Sequence, residues 1–168
     1  MSILNEFLDT LGDIADFIEG APTRVDKNPV IDPPKDGDWI ILSEDRHVIT
    51  LYHDGTKVRT ITSFSVGGMK KGKMHPTPVG KFTVIRKDAD HKSNLYKDSS
   101  GNFAKMSYYV QFAPSVGFHV GDPEVASHGC VHLVESDAKF LFDWAKEQKT
   151  HVWVLPKAKK HDKKETED

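Results

Sequence analysis

The hydrophobic and polar positions between residues 38 and 155 follow the short period of β-strands rather than the longer period of helices. Trp39–Leu42 and His47–Tyr52 are apolar runs separated by Ser43–Arg46, a polar segment with the length of a hairpin loop. Strands are also predicted in runs rich in β-branched or aromatic residues, over 58–66, 82–85, 106–112, 117–120, 129–133 and 150–155. The pattern therefore predicts a protein in which strands dominate.

Two segments have helical periodicity instead. In residues 3–19 apolar positions recur every three or four residues opposite a row of acids, and Gly20 would end the helix. We interpret this segment as an amphipathic helix, either packed against the domain or free to dock on a partner. A second helix is predicted over 138–145, with Ser136-Asp137 as its N-terminal cap.

Changes in composition divide the chain into four parts. Residues 21–37 combine four prolines with charged side chains, which is typical of a linker, and the lysine-rich end of the chain has little to bury. We expect an N-terminal amphipathic helix over 1–20, a linker over 21–37, one domain over 38–156 and a disordered charged tail over 157–168. The domain is predicted to be a mostly antiparallel β-sandwich or partly closed barrel with one helix.

Two polar stretches interrupt the predicted strands. Residues 67–78 carry Lys70, Lys71 and Lys73, which predict a solvated loop or a surface that meets an anionic polymer. Residues 88–105 show no period, and polar segments of this length in a compact domain are often functional. We predict that this second stretch is either a lid over a binding cleft or a plain surface excursion.

Composition excludes some functions without identifying one. The 168 residues carry a net charge of -2, which argues against nucleic-acid binding, and 38% hydrophobic with 29% charged residues is typical of a soluble globular domain. No stretch is long and apolar enough to span a bilayer. The first 20 residues lack a basic start and are interrupted by acids, so no cleavable signal is predicted. A single cysteine excludes an internal disulfide and leaves the redox compartment open.

The candidate chemistry lies around that single cysteine, Cys130, which follows Gly129 and has histidine two residues away on either side, at His128 and His132. The thiolate is the nucleophilic form of cysteine, and with an ordinary pKa of about 8.5 it needs a nearby base, cation or helix N-terminus. His119, His128 and His132 are candidate bases. Gly129 would let backbone N–H groups turn toward an oxyanion on an attacked carbonyl.

Ordered motifs give this region a family resemblance. Residues 127–130, Ser-His-Gly-Cys, downstream of His119, resemble the active-site signature of the YkuD-type L,D-transpeptidases. Residues 77–82, Thr-Pro-Val-Gly-Lys-Phe, are similar to that family's strand entry, and 65–68 before them also fit. The chain departs from the family at His132, where an arginine is usual, and an imidazole lacks the permanent charge and the bidentate fork of arginine.

The resemblance implies a β-sandwich enzyme that works without a cofactor on peptidoglycan tetrapeptide stems. Cys130 would attack the bond between meso-diaminopimelate and the terminal D-alanine, with His119 as its base. An amine of a second stem, a free D-amino acid or water as acceptor would give cross-linking, exchange or L,D-carboxypeptidase activity respectively.

Neighbouring residues receive roles from the same resemblance. Ser127 and His128 are expected to orient the site, by side-chain hydrogen bonds or by a backbone carbonyl that fixes the tautomer of His119. The backbone at Gly129 would hold the oxyanion, and residues 91–96 are similar to a segment that frames the substrate cleft in some family members. The candidate substrate-binding residues are His132, Tyr108, Tyr96 and Met106.

Two alternatives to catalysis remain open at this point. The ligand types that zinc prefers occur together in His119, His128, Cys130 and His132, although their spacing matches no familiar zinc motif. A non-catalytic wall-binding module could also keep the fold. Such a module predicts that Cys130→Ala leaves every activity intact.

The substitution at His132 and the absence of a predicted signal together suggest a hypothesis about biology. The protein would be made in the cytoplasm and delivered to the periplasm or cell wall as an antibacterial effector. Its partners would then be peptidoglycan stems, a secretion apparatus and a cognate immunity protein. A phage lysis enzyme would fit the same facts less economically.

Overall fold

A computed structural model describes residues 31–158, which form fourteen β-strands and one α-helix. The helix predicted over 3–19, most of the predicted linker and nearly all of the predicted charged tail lie outside the described residues. The elements are β1 (Asp38–Ser43), β2 (Val48–His53), β3 (Thr56–Ile61), β4 (Phe64–Ser65), β5 (Met69–Lys70), β6 (Lys73–Met74), β7 (Gly80–Thr83), β8 (Arg86–Asp88), β9 (Lys92–Lys97), β10 (Phe103–Lys105), β11 (Tyr109–Ala113), β12 (Val116–Val120), β13 (Val131–Leu133), α1 (Glu135–Trp144) and β14 (His151–Val154).

Two five-stranded sheets make up the described domain. The first has the order β3-β2-β1-β14-β7 and the second the order β4-β13-β12-β11-β8, and neither closes into a barrel. Their neighbouring strands are antiparallel except for β1 with β14 and β12 with β13, which are parallel. Two short hairpins, β5-β6 and β9-β10, stand apart from the sheets. The prediction of a mainly β, mostly antiparallel sandwich with one helix is therefore confirmed.

The core lies where the two sheets and the helix meet. Alternate residues of β1 and β2 face residues of β11, β12 and β13, and α1 packs against β11 and β12 with Ala138 and Leu141 buried. Each large apolar side chain removed from water in this way contributes about 1.5 to 3 kcal/mol. The largest contributors include Ile40, Leu42, Leu51, Phe112, Phe118, Leu133 and Leu141.

Several predicted bounds and loops are corrected by the structure. The strand predicted over 58–66 is divided into β3 and β4, and the strand predicted over 82–85 begins and ends earlier, as β7. The predicted loops 67–78 and 88–105 contain the hairpins β5-β6 and β9-β10. Period-2 alternation is weak in both hairpins because they lie outside the core, so their side chains are mostly exposed on both faces.

The helix begins one residue before the predicted cap. Its N-cap is Val134, which makes no side-chain capping bond, and Ser136-Asp137 lie inside the first turn. Asp137 instead accepts hydrogen bonds from Arg59 at 3.0 and 2.6 Å, which attach the helix to β3. Tertiary contact therefore replaces local capping at this end.

Within residues 31–158 no helix is both long and apolar enough to cross a membrane.

A buried carboxylate joins the first sheet to the segment after the helix. Asp38 is 7% exposed, and its two oxygens lie 2.6 Å from His53 Nδ1 and 3.0 Å from Lys146 Nζ. Burial opposes ionisation of Asp38, but the hydrogen bonds from His53 and Lys146 outweigh it and lower the pKa of the carboxyl. The bond to Asp38 correspondingly raises the pKa of His53.

We expect Asp38→Asn to lose more unfolding free energy at pH 5 than at pH 9. The contribution of Asp38 is present above its ordinary pKa of 3.8, whereas that of His53 is present below its ordinary pKa of 6.5 and disappears as pH rises through its raised folded value. Denaturant unfolding at the two pH values measures this difference. Asp143→Asn, which removes an exposed carboxylate paired with exposed Lys139, is the control. An equal loss at both pH values would contradict the assignment.

Candidate active site

The site is built on β12 and β13, two adjacent parallel strands of the second sheet. His119 and His132 are direct neighbours in their register, and Cys130 lies immediately before β13. Because side chains alternate along a strand, positions 130 and 132 share a face, and positions 117 and 119 of β12 share it with them. The side chains of His119, Cys130 and His132 accordingly line one cleft.

That cleft has a volume of about 600 Å³. Its walls are the β9-β10 hairpin, the turn between β11 and β12, and the loop that joins β12 to β13. Tyr109 lies at its floor, buried, with its ring centroid 6.2 Å from that of His119 and stacked at 4.3 Å on His91. The volume and the lining match those of a site for a small molecule or a peptide segment.

His119 is held as a neutral base. It is 6% exposed, and its Nδ1 lies 2.8 Å from the carbonyl oxygen of Val120. A carbonyl can only accept, so the ring proton is on Nδ1 and Nε2 carries the lone pair. Burial lowers the pKa of His119 to about 4, against the opposing effect of the Val120 carbonyl. The imidazole is therefore uncharged at neutral pH.

Cys130 is a protonated thiol in this arrangement. It is 8% exposed, and its Sγ lies 3.7 Å from the carbonyl oxygen of Ser115, to which the thiol donates. Burial raises the pKa of Cys130, and the backbone of Gly117, which hydrogen-bonds to the sulfur, only partly offsets this. The resting pair is consequently thiol and imidazole rather than thiolate and imidazolium.

Two buried hydroxyl groups fix the turn that presents the sulfur. Ser127 Oγ donates to the Cys130 carbonyl at 2.5 Å and accepts the Gly129 N–H at 3.0 Å. Thr77 Oγ1 donates to the Gly129 carbonyl at 2.8 Å and accepts the Gly67 N–H at 2.9 Å. Ser127 therefore orients the loop, whereas the carbonyl that sets the tautomer of His119 belongs to Val120.

Glycine is required at two places in this turn. Gly129 has φ of +117°, a conformation that side chains rarely adopt. A Cβ on Gly67 would lie 2.0 Å from the His75 carbonyl oxygen and 2.8 Å from Gly129 Cα. The Gly129 N–H, predicted as an oxyanion donor, is already given to Ser127.

His128 lies on the wall of the cleft. Its ring stacks on Tyr96 at 4.0 Å and meets the edge of His75 at 5.0 Å. Burial, followed by the neighbouring His75, lowers the pKa of His128. This ring stack joins the β9-β10 hairpin to the loop that carries the cysteine.

The other predicted site residues divide between the cleft and its surroundings. Tyr96, Met106 and His132 line the cleft. Tyr108 does not: it has φ of +55°, precedes β11, and packs 5.7 Å from the ring of Phe142. This conformation reverses the alternation, so Tyr109 faces the cleft instead. The residues to which sequence reasoning gave no role are Tyr109, Thr77, Ser115, Gly117 and Val120. Thr77 lay within the motif at 77–82, and Gly117 and Val120 flank His119 in the strand predicted over 117–120.

The zinc hypothesis finds no support in the arrangement of the side chains. Across residues 31–158 no group of three or more His, Cys, Asp or Glu side chains converges on one point that could hold a metal ion. His119 and His132 direct Nδ1 to backbone carbonyls, and His128 is turned toward Tyr96. The four proposed ligands therefore do not share a centre.

Comparisons with known proteins agree with this geometry. The family profile YkuD, described as the L,D-transpeptidase catalytic domain, matches residues 37–154. A search of curated proteins gave no match. Among solved structures, an L,D-transpeptidase from Stackebrandtia nassauensis is 24% identical with a TM-score of 0.62, covering 81% of this chain and 62% of that one.

Two further solved structures illustrate the same similarity. An L,D-transpeptidase from Xylanimonas cellulosilytica is 25% identical with a TM-score of 0.60, covering 76% of this chain and 64% of that one. L,D-transpeptidase 3 from Mycobacterium tuberculosis, in complex with a faropenem-derived adduct, is 21% identical with a TM-score of 0.58, covering 71% and 60%.

The chain thus spans less than two thirds of the length of each of these three neighbours. The profile match nevertheless covers most of the 168 residues and includes His119, Cys130 and the hydroxyl groups that fix the turn. It confirms the resemblance seen in the sequence motifs. The chain therefore belongs to the YkuD family of L,D-transpeptidase catalytic domains.

Proposed function

We propose that the protein is a cysteine acyltransferase that cleaves an amide bond of a peptidoglycan stem through a thioester on Cys130. The observation that carries the proposal is that one cleft is lined both by the thiol of Cys130 and by His119, an imidazole whose tautomer leaves Nε2 as a base. In the first step Nε2 takes the thiol proton while the sulfur attacks the carbonyl carbon. The carbon–nitrogen bond then breaks, and the departing amine receives the proton from His119.

The neutral resting pair sets the timing of proton transfer. Since burial disfavours both the thiolate and the imidazolium, ionisation before substrate binds is unfavourable. We infer that the proton moves as the sulfur attacks, when the developing oxyanion is stabilised by the Cys130 N–H. In other acyl-transfer enzymes one such donor is worth about 3 to 4 kcal/mol.

The charge of the cleft supports an acidic stem as the substrate. Among the described residues that line the cleft there is no Asp or Glu, whereas four permanently cationic side chains line it: Arg86, Lys92, Lys97 and Lys105. Lys92 and Lys105 are also direct cross-strand partners in the β9-β10 hairpin. Like charges in that position destabilise a hairpin, and an anionic ligand between them would offset the repulsion. Free carboxylates of an unamidated stem supply such an anion.

The acceptor decides between L,D-transpeptidase, D-amino acid exchange and L,D-carboxypeptidase outcomes, which mass spectrometry of treated muropeptides distinguishes. A new dimer, a replaced terminal residue and a lost terminal residue are three different mass changes. Intact tetrapeptides under every condition would contradict the proposed substrate.

The hypothesis of a delivered effector depends on residues 1–20, which lie outside the described range, and stays a prediction.

We expect faropenem to form a covalent adduct with Cys130 that intact-protein mass spectrometry detects. The Mycobacterium tuberculosis neighbour contains a faropenem-derived adduct, and a strained β-lactam carbonyl is an acyl donor that a nucleophilic thiol opens. Cys130→Ala should form no adduct and lose stem cleavage by about 10³-fold or more. Unchanged thermal stability of this variant would show that its fold is intact. A Cys130→Ala variant with full activity would instead support the wall-binding module.

The pH dependence of the reaction should show that Cys130 and His119 are both uncharged before substrate binds. We expect kcat/KM to fall as the pH drops through about 4, because protonated His119 accepts no further proton. Alkylation of Cys130 by iodoacetamide should be slow at pH 7 and still rising above pH 9, because burial raises the thiol pKa above its ordinary value. Fast alkylation that does not vary between pH 5 and 9 would indicate a thiolate–imidazolium pair and contradict the assignment.

Reversing a cleft charge should weaken substrate binding without weakening the fold. For Lys105→Glu we expect KM for an unamidated stem to rise about fivefold or more with kcat little changed, since a lost surface attraction of about 1 kcal/mol gives that ratio. Thermal stability should stay equal or increase, because the cross-strand repulsion with Lys92 becomes an attraction. Lys57→Glu, the same charge change on β3 outside the cleft, is the matched control. Equal KM changes in both variants would contradict the proposal.

A further inference from the structure

The ring of His132 is fixed as firmly as that of His119. Its Nδ1 lies 3.2 Å from the carbonyl oxygens of both Asp122 and Val125. Because both partners only accept, the proton of the neutral ring is on Nδ1 and the lone pair is on Nε2. Within residues 31–158 no hydrogen-bond partner of Nε2 is present, and the ring lines the cleft.

The surrounding chain is shaped to accept this imidazole. Ser65, the register neighbour of His132 on β4, places its Oγ 3.1 Å from the Asp122 carbonyl oxygen and 2.7 Å from that of Val125. It therefore supports the same two acceptors that hold Nδ1. A Cβ on Gly121 would lie 2.5 Å from His132 Cγ, so the ring occupies space that only glycine leaves open.

The position of His132 is suited to a reaction at an acyl group on Cys130. Both residues line the cleft, and the His132 ring meets the edge of the His119 ring at a centroid distance of 5.0 Å and an angle of 67°. The cleft therefore contains two imidazoles in the same tautomer, each with an unprotonated Nε2. The acceptor attacks the carbonyl carbon of the thioester rather than its sulfur. A second base in the cleft, separate from the one that takes the thiol proton, can therefore deprotonate the acceptor.

The charges around His132 leave it uncharged at neutral pH. Burial lowers the pKa of His132, and the Asp122 and Val125 carbonyls oppose this effect. The charged and titratable groups that face it are Lys70 of the β5-β6 hairpin, Asp122 of the preceding loop, His119 of β12 and His128 of the turn before Cys130. A neutral ring with two carbonyls behind Nδ1 is a base whose protonated form is stabilised as it forms.

We propose that His132 is a second general base, which deprotonates the acyl acceptor while His119 serves the sulfur. The inference rests on the proposed thioester. The acceptor, water or an amine, gives one proton to His132 Nε2 as its oxygen or nitrogen bonds to the thioester carbonyl carbon. The carbon–sulfur bond breaks, and Cys130 leaves as a thiolate. The thiolate then takes up the proton that His132 Nε2 received, and both groups return to their neutral forms. An arginine at this position could not take that proton, so the residue that departs from the family pattern is the one that acquires the role.

Single-turnover kinetics on the full chain separate the two steps. An unamidated stem peptide is mixed with excess enzyme, D-alanine release reports acylation, and intact-protein mass spectrometry follows decay of the thioester. The test variant is His132→Asn, whose amide N–H can replace Nδ1–H at the two carbonyls while Nε2 is lost. We expect acylation within about threefold of wild type and thioester decay slower by about 10²-fold or more, the contribution of a general base. Hydroxylamine, a stronger nucleophile with less need of a base, should restore decay.

Each other outcome overturns a specific claim. If the wild type forms no thioester, the proposed function fails, whatever His132 does. If the thioester forms and decays at the wild-type rate in His132→Asn, or if both steps slow equally, the second base is wrong. Should His132→Asn not fold, His132→Gln, which also lacks a ring nitrogen with a lone pair, is measured in its place. Thioester decay at the wild-type rate in that variant would reject the proposal.

Discussion

The site depends on two buried hydroxyl groups. Thr77 and Ser127 each join a carbonyl and an N–H of the glycine-rich turns at 67 and 127–130, and so hold the sulfur of Cys130 immediately before β13. The close approach of Gly67 to Gly129 leaves no room for another side chain. Motifs far apart in sequence are therefore one structural unit, and the cleft inherits its shape from that unit.

Backbone carbonyls, rather than carboxylates, orient His119 and His132, two of the imidazoles that line the cleft. A carboxylate partner would raise the basicity of a histidine, but neither Val120 nor the pair Asp122 and Val125 contributes a negative charge through its carbonyl. Burial then determines the protonation state, and both rings remain neutral bases. Positive charge in the cleft comes from Arg86 and three lysines of its wall, which can attract an anionic ligand.

Sequence reasoning succeeded where burial imposes a period and failed where it does not. The β1-β2 hairpin, helix α1 and the layered fold follow from the period at which apolar residues recur, two in the strands and three to four in the helix. The β9-β10 hairpin was read as a loop because its side chains are mostly exposed; its turn signal, Asp98 to Gly101, was the available clue. Motif order identified Cys130 and His119 as candidates. Which carbonyl fixes His119, and that Tyr109 rather than Tyr108 faces the cleft, depend on backbone conformation that no pattern of residue types encodes.

The protonated state of Cys130 also affects how quickly its sulfur is oxidised. Oxidants attack thiolates and exposed sulfur atoms first, and this sulfur is neither ionised at rest nor accessible over most of its surface. The chain contains no second cysteine that could trap an oxidised sulfur as a repairable disulfide. Keeping the proton on the sulfur therefore slows the oxidation of a thiol for which the chain itself provides no repair.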